Sequence, residues 1–194
     1  MRVKNEEIKL TGKSARAFGS LGVAALFALA VPASAATMAG QDATFVHAAA
    51  QGGMAEVAAG TLAEQRSTNP KVKAFASKMV ADHTKANAKL AAIAKSKHMM
   101  LPSSVGETNM KMKGALESLH GAAFDTSYLQ GQKTGHMQMA TVMKNEITGG
   151  KDADLVAFAK ATLPTVEEHL ALAQKDLSSM SKSMSGMKMS PSKM

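Results

Sequence analysis

Four polar side chains occupy places in this chain where apolar ones are expected. Glu56, His83, His136 and His169 each fall on the inward stripe of a different amphipathic segment. Three imidazoles and one carboxylate form a donor set that suits zinc, copper or iron, and a mononuclear centre inside a helical bundle is chemically reasonable. The competing reading is a hydrogen-bonded polar layer, in which Glu56 pairs with a histidine and Tyr128 or Gln132 completes a network that fixes register. A second constellation lies at the C-terminus, where Met180, Met184, Met187, Met189 and Met194 alternate with Ser, Lys, Gly and Pro. Thioethers are soft ligands that favour Cu(I), and a flexible chain can wrap several of them around one ion. The competing reading there is a low-complexity, disordered tail over 178–194. His98-Met99-Met100 could assist such a tail. His47, His98 and His120 fall off the stripes or near helix ends and read as surface residues. No nucleophile with a paired base, no glycine-rich phosphate loop and no paired general-acid carboxylates emerge, so no residue is picked out as catalytic.

The elements that must position these groups follow from periodicity. A first long helix is predicted from Asp42, a good N-cap, to about Ser67, with Phe45, Ala48, Gly52, Glu56, Ala59 and Ala63 recurring every three or four residues. A second opens at Asn69-Pro70, a cap residue followed by proline at the first helical position, and runs to about Lys97 along Val72, Ala76, Met79, His83, Ala86, Leu90 and Ile93. Pro102 and Gly106 interrupt the pattern, which resumes as a short connector helix from Glu107 to His120. The third long helix, Ala123 to Thr148, carries Asp125, Leu129, Gln132, His136, Met139 and Met143, and Gly149-Gly150 ends it. The fourth, Asp152 to Leu177, aligns Leu155, Phe158, Thr162, Val166, His169 and Leu172, with a kink expected at Pro164. These boundaries give one four-helix bundle over 42–177.

Topology decides whether the four polar residues meet. At about 1.5 Å rise per residue, Glu56 and His83 stand at the same height above the turn that joins their helices. If the connector runs back along the bundle, the third helix starts at that same end, and His136 and His169 fall close to the same level. A crossover of this kind, as in ferritin-like bundles, brings the four together best.

Composition supports an all-α fold. Hydrophobic residues are 45% of the 194, but aromatics only 4%, so the core must be Ala, Leu, Val and Met, which suits close helix packing. The formal charge of +8 does not point to nucleic acid, because it sits at the ends. Between Thr37 and Gln174 there are 14 basic and 12 acidic residues, with no Trp and no recognition motif. At the N-terminus, Arg2, Lys4, Lys9, Lys13 and Arg16 precede the apolar run Ala17 to Val31 and then Pro32-Ala33-Ser34-Ala35. These are the parts of a secretory signal peptide over 1–36, cleaved after Ala35 or Ala36, and they predict a periplasmic or secreted protein. The chain has no Cys, so its stability must come from packing, and thiolate metal sites are excluded. No later stretch is apolar enough for a transmembrane span.

The stretches FVHAAAQGGMAEVAAGTLA (Phe45 to Ala63), VKAFASKMVADH (Val72 to His83), FDTSYLQGQKTGH (Phe124 to His136) and FAKATLPTVEEHL (Phe158 to Leu170) occur in order with sensible spacing. Together they resemble the exported, ferritin-like domain-of-unknown-function 4142 family, whose members are described as periplasmic or outer-membrane proteins. The resemblance implies a ferritin-like fold and an exported location, and carries no known activity. Di-iron bundles of the ferritin type use a Glu from each of two helices and Glu-x-x-His from the other two. This chain departs from that pattern: Val80 and Val166 stand three residues before His83 and His169. Asp82 and Glu168, adjacent to those histidines, point about 100° away from them on their helices. A ferroxidase centre is therefore not expected. The reading that remains is an exported bundle that binds a transition metal through its core or its tail; the alternative is a non-catalytic structural or envelope-stress module with a polar layer.

Overall fold

The computed structural model describes residues 40–188, with side chains through residue 182. Among the described residues there are five α-helices and no strand: α1 Gln41–Arg66, α2 Pro70–Ser96, α3 Glu107–Glu117, α4 Gly121–Gly149 and α5 Ala153–Lys188. The start of α2 is as the sequence predicts, with Asn69 Oδ1 accepting the Lys71 N–H at 3.0 Å and Pro70 in the first turn, where its missing N–H costs nothing. The start of α1 is not. Gly40, at φ 98°, takes the cap position, and Asp42 is buried inside the first turn. Its Oδ1 instead accepts the backbone N–H groups of Lys151 and Asp152, at 2.8 and 3.3 Å, so it ties down the loop before α5. Gly150 is needed for space: a Cβ there would lie 2.6 Å from the Glu146 carbonyl and side-chain oxygens.

The long helices pack α1 against α2 and α4, and α5 against α2 and α4. Their directions follow from the links between them. Arg66, at the end of α1, donates to the Glu117 carbonyl at the end of α3 (2.6 Å), so α3 runs alongside α1 and returns the chain to the end where α2 began. At the other end, Gln41 meets Glu146 and Lys97 bridges Asp152 and Asp154, joining the start of α1, the ends of α2 and α4 and the start of α5. The connector therefore does cross back, as the sequence reading required. Only Leu116 of α3 is buried, which fits a strap laid over the gap between α1 and α4.

The core is divided into two apolar clusters. One joins Leu62, Ala63, Val72, Phe75, Met79, Phe124, Tyr128 and Ala173; the other joins Phe45, Ala49, Leu90, Met143, Leu155 and Phe158. On every long helix the polar residue singled out by sequence falls between the stretches that feed the two clusters. Burial of the clusters, at roughly 25 cal/mol per Å² of apolar surface, must hold the bundle together across that polar layer.

Pro164 lies inside α5, as the sequence places it, and is exposed, as is Lys160 one turn back. One expectation at the C-terminus changes. The helix does not stop at Leu177; it runs to Lys188, and the apolar stripe continues through Ala173, Leu177 and Met180 onto the core. The disordered tail expected from residue 178 is thus helical over its first part. Met180 packs on the core, Met184 and Met187 lie on α5, and Met189 and Met194 lie outside the described residues, as does the expected signal peptide. No described helix is long and apolar enough to cross a membrane.

Candidate metal centre

His83 from α2, His136 from α4 and His169 from α5 converge at the level between the two clusters. Their ring centroids form a nearly equilateral triangle with sides of 5.5, 5.4 and 5.3 Å. One nitrogen from each ring lies within 4.8 Å of the other two, which is the spacing of ligands around one ion. His83 Nε2 and His136 Nε2 are 3.4 Å apart. His136 and His169 are 1% and 0% exposed, and His83 is partly open to a cavity. No other group of three His or carboxylate side chains among the described residues has such a geometry.

A second nitrogen is held on two of the three rings. His136 Nδ1 is 2.8 Å from the Gln132 carbonyl one turn back, so Nδ1 carries the proton and donates, and Nε2 keeps its lone pair toward His83. His169 Nε2 is 2.9 Å from Asp82 Oδ2 and donates to it, which leaves the lone pair on Nδ1. That Nδ1 is buried with no hydrogen-bond partner. Asp82 is itself fixed by Lys78 at 3.1 Å, which also reaches Glu168 at 3.2 Å. Histidines that bind metals are commonly oriented in this way, by a carboxylate or a backbone carbonyl on the nitrogen that does not face the ion.

Burial keeps the rings uncharged. It pushes His83 down to about 3, assisted by the two neighbouring imidazoles, and His136 down to about 4 against the opposing Gln132 hydrogen bond. His169 is lowered by burial too, although Asp82 opposes this. Neutral imidazoles have lone pairs ready for a cation at neutral pH.

Glu56 stands beside this triad rather than within it. Its Oε2 accepts from Gln132 Nε2 at 2.6 Å, and Oε1 lies 3.8 Å from His136 Nδ1, the protonated side of that ring. Burial raises Glu56 to about 7, opposed by the Gln132 hydrogen bond. A cavity of about 300 Å³, lined by Glu56, His83, Asn87, His136 and Met139, opens next to the histidines. A second, of about 430 Å³, lies under α3 and also reaches Glu56. The structure thus brings His83, His136 and His169 together with Glu56 adjacent. Met180 lies against the apolar cluster of Phe75 and Tyr128, away from the histidine layer. His47, His98 and His120 are exposed.

Residues 28–175 match the family described as Domain of unknown function (DUF4142). The chain belongs to this family. No curated protein and no solved structure matches it. The DUF4142 match covers all of α1 to α4 and α5 as far as Lys175, so every residue of the histidine layer lies in the family domain. Asp82 was missed by sequence reasoning as a partner because it stands next to His83 on the same helix, whereas its contact is His169 on another. The buried pair Asp42 and Glu146 was missed for a similar reason: each looks like an ordinary helix-end acid until the ends of α1 and α4 are brought together.

Proposed function

We propose that this DUF4142 protein binds one transition-metal ion, among copper, zinc and iron, through His83, His136 and His169 in a bundle of ferritin-like topology, and that it does so after export. The observation that carries the reading is the convergence of one nitrogen from each of three rings within 4.8 Å, with His169 Nδ1 buried and unpartnered and the outer nitrogen of His136 committed to the Gln132 carbonyl. Leaving a buried polar atom bare costs about 1–3 kcal/mol, and of the unpartnered buried atoms described only His169 Nδ1 belongs to a group of three metal-ligating side chains. Three neutral imidazoles whose nitrogens lie this close can each offer a lone pair to one cation, His83 giving up its contact with His136 Nε2 to do so. In that role Asp82 and the Gln132 carbonyl hold the rings, Glu56 with Gln132 sets the charge beside them, and the adjacent cavity admits the ion. The α1 to α5 arrangement, with a return strap between α2 and α4, supports the ferritin-like topology. The basic head, apolar run and Ala33-Ser34-Ala35 site support export.

Purified protein, stripped with chelator and reloaded, should take up one ion per chain by elemental analysis, and His136→Ala should take up none. Equal stoichiometry in both proteins, or no uptake by either, would remove the centre. N-terminal sequencing of the protein recovered from its host should begin at Ala36 or Thr37; recovery with Met1 retained in the cytoplasm would remove export.

A further inference from the structure

Resting on the three-histidine reading, we infer that the ion held there is cuprous copper and that Met139 supplies a thioether as its fourth ligand. Met139 follows His136 by three residues on α4, so the two side chains lie on one face of the helix. Long side chains on a helix lean back toward its N-terminus, which carries the Met139 sulfur over the turn that holds His136. Both residues line the same cavity, together with His83. The methyl end of Met139 reaches across to α1 at Gly52, where an added Cβ would lie only 2.6 Å from it. The glycine therefore keeps open the space in which this flexible side chain turns.

The charge of the donor set points the same way. Three neutral imidazoles and a thioether bring no negative charge of their own; Glu56 lines the same cavity but is hydrogen-bonded to Gln132 and nears His136 only at its Nδ1, and burial holds it toward its neutral form. The cost of placing an ion in a poorly solvated interior rises steeply with its charge, so a neutral set discriminates against uncompensated divalent ions and in favour of a monovalent one. Thioethers bind Cu(I) well and Zn(II) poorly. With no Cys in the chain, methionine is its one source of a soft sulfur ligand. Met143 also lines this cavity, but it stands seven residues from His136 and is buried in the cluster of Phe45 and Phe158, whereas Met139 is within one turn of the histidine; Met100 and Met137 are exposed, at 94% and 51%.

The test is Cu(I) loading of the intact chain without oxygen, followed by copper X-ray absorption and by competition against a chromophoric Cu(I) chelator. The spectrum should contain one sulfur scatterer beside the nitrogen shell. In Met139→Leu, nearly the same volume, the sulfur should disappear and Cu(I) affinity should fall about tenfold or more while Zn(II) affinity stays within about twofold. Gly52→Ala, which crowds the Met139 methyl, should lower Cu(I) affinity in the same sense without touching a ligand. A wild-type spectrum with nitrogen alone, or sulfur that persists in Met139→Leu, overturns the assignment of Met139 and leaves the histidine centre standing. Failure of the wild type to bind Cu(I), Zn(II) or Fe(II) overturns both.

Discussion

Two of the places where the bundle buries polar groups are built differently. At the end where α1 begins, the Asp42 carboxylate takes two backbone N–H groups, Asp152 caps α5 through the N–H groups of Asp154 and Leu155, and Lys97 bridges Asp152 and Asp154 at 2.7 Å each. Most acceptors there face donors from neighbouring helices and a loop, with Glu146 Oε1 the exception, and the cluster ties chain ends together. In the middle of the bundle, three imidazoles bring ring nitrogens together: His83 and His136 share one 3.4 Å contact, and His169 Nδ1 has no partner. Buried polarity that is internally matched fixes a fold; buried polarity left one charge short is arranged for something else to complete it.

The sharpest way to break this contrast is to remove a histidine. His136→Ala should abolish metal uptake, and with it the stabilisation that a bound ion gives the wild type, about 2.7 kcal/mol when free metal is a hundred times Kd. Melting curves with and without metal read this directly: the wild type should shift upward and the variant should not. A variant that still shifts would place the ion elsewhere. Next in size is Asp82→Asn. It keeps the shape but weakens the hold on His169, so metal affinity should fall about 10- to 100-fold while the apoprotein stays folded. An unchanged affinity would mean that Asp82 merely pairs with Lys78.

Much of the central layer was legible from spacing alone. His83, His136 and His169 recur in apolar stripes at intervals of three and four, and with a rise of 1.5 Å per residue the crossover puts them at one height. Periodicity gives the face and height of a side chain, however, not the direction of its polar end. The polar-layer reading named Gln132 beside Glu56, and the two do bond, but spacing could not choose between that network and a ligand role for Glu56, nor match Asp82 to His169 across α2 and α5. The ends were harder still. Asp42 looks like a helix cap because capping is local, but its partners are the N–H groups of residues 151 and 152, brought to it only by the fold. The Ser- and Lys-rich composition beyond Leu177 suggested disorder, while Leu177 and Met180 extend the apolar stripe of α5 by another turn.

The matched cluster should reveal itself through pH. Glu146 is fully buried on α4, and burial, followed by the hydrogen bond to Asp42 and the charges of Asp42 and Asp152, raises it to about 7 against the hydrogen bond from Gln41. Lys97 is turned to Asp152 and Asp154 and does not reach it among the ion pairs at this end. A carboxyl group raised in the folded state contributes stability that is complete below its unfolded value near 4.5 and is lost as pH climbs through about 7. Glu146→Gln keeps the hydrogen-bonding shape and removes the ionisation. The variant should match the wild type near pH 4.5 and exceed it by about 2 kcal/mol at pH 8 in urea titrations. Parallel curves at both pH values would show that the pair does not gate this end of the bundle, and metal uptake should be the same in both proteins.

The smallest effect belongs to the far end of α5. Met180 is partly buried against the cluster of Phe75 and Tyr128, so Met180→Ala should cost about 1 kcal/mol, below the range for a fully buried methionine. Because the side chain packs on the core and touches no member of the histidine layer, metal content should not change. This separates the two readings of the C-terminal methionines. If they formed a soft-metal tail, Met180→Ala would reduce copper binding and leave the melting temperature alone; if Met180 is core, the melting temperature falls and copper binding holds. The histidine layer predicts the second pattern, because the proposed ion would sit among α2, α4 and α5 at the level of His169, more than two helical turns from Met180 along α5 at about 1.5 Å per residue.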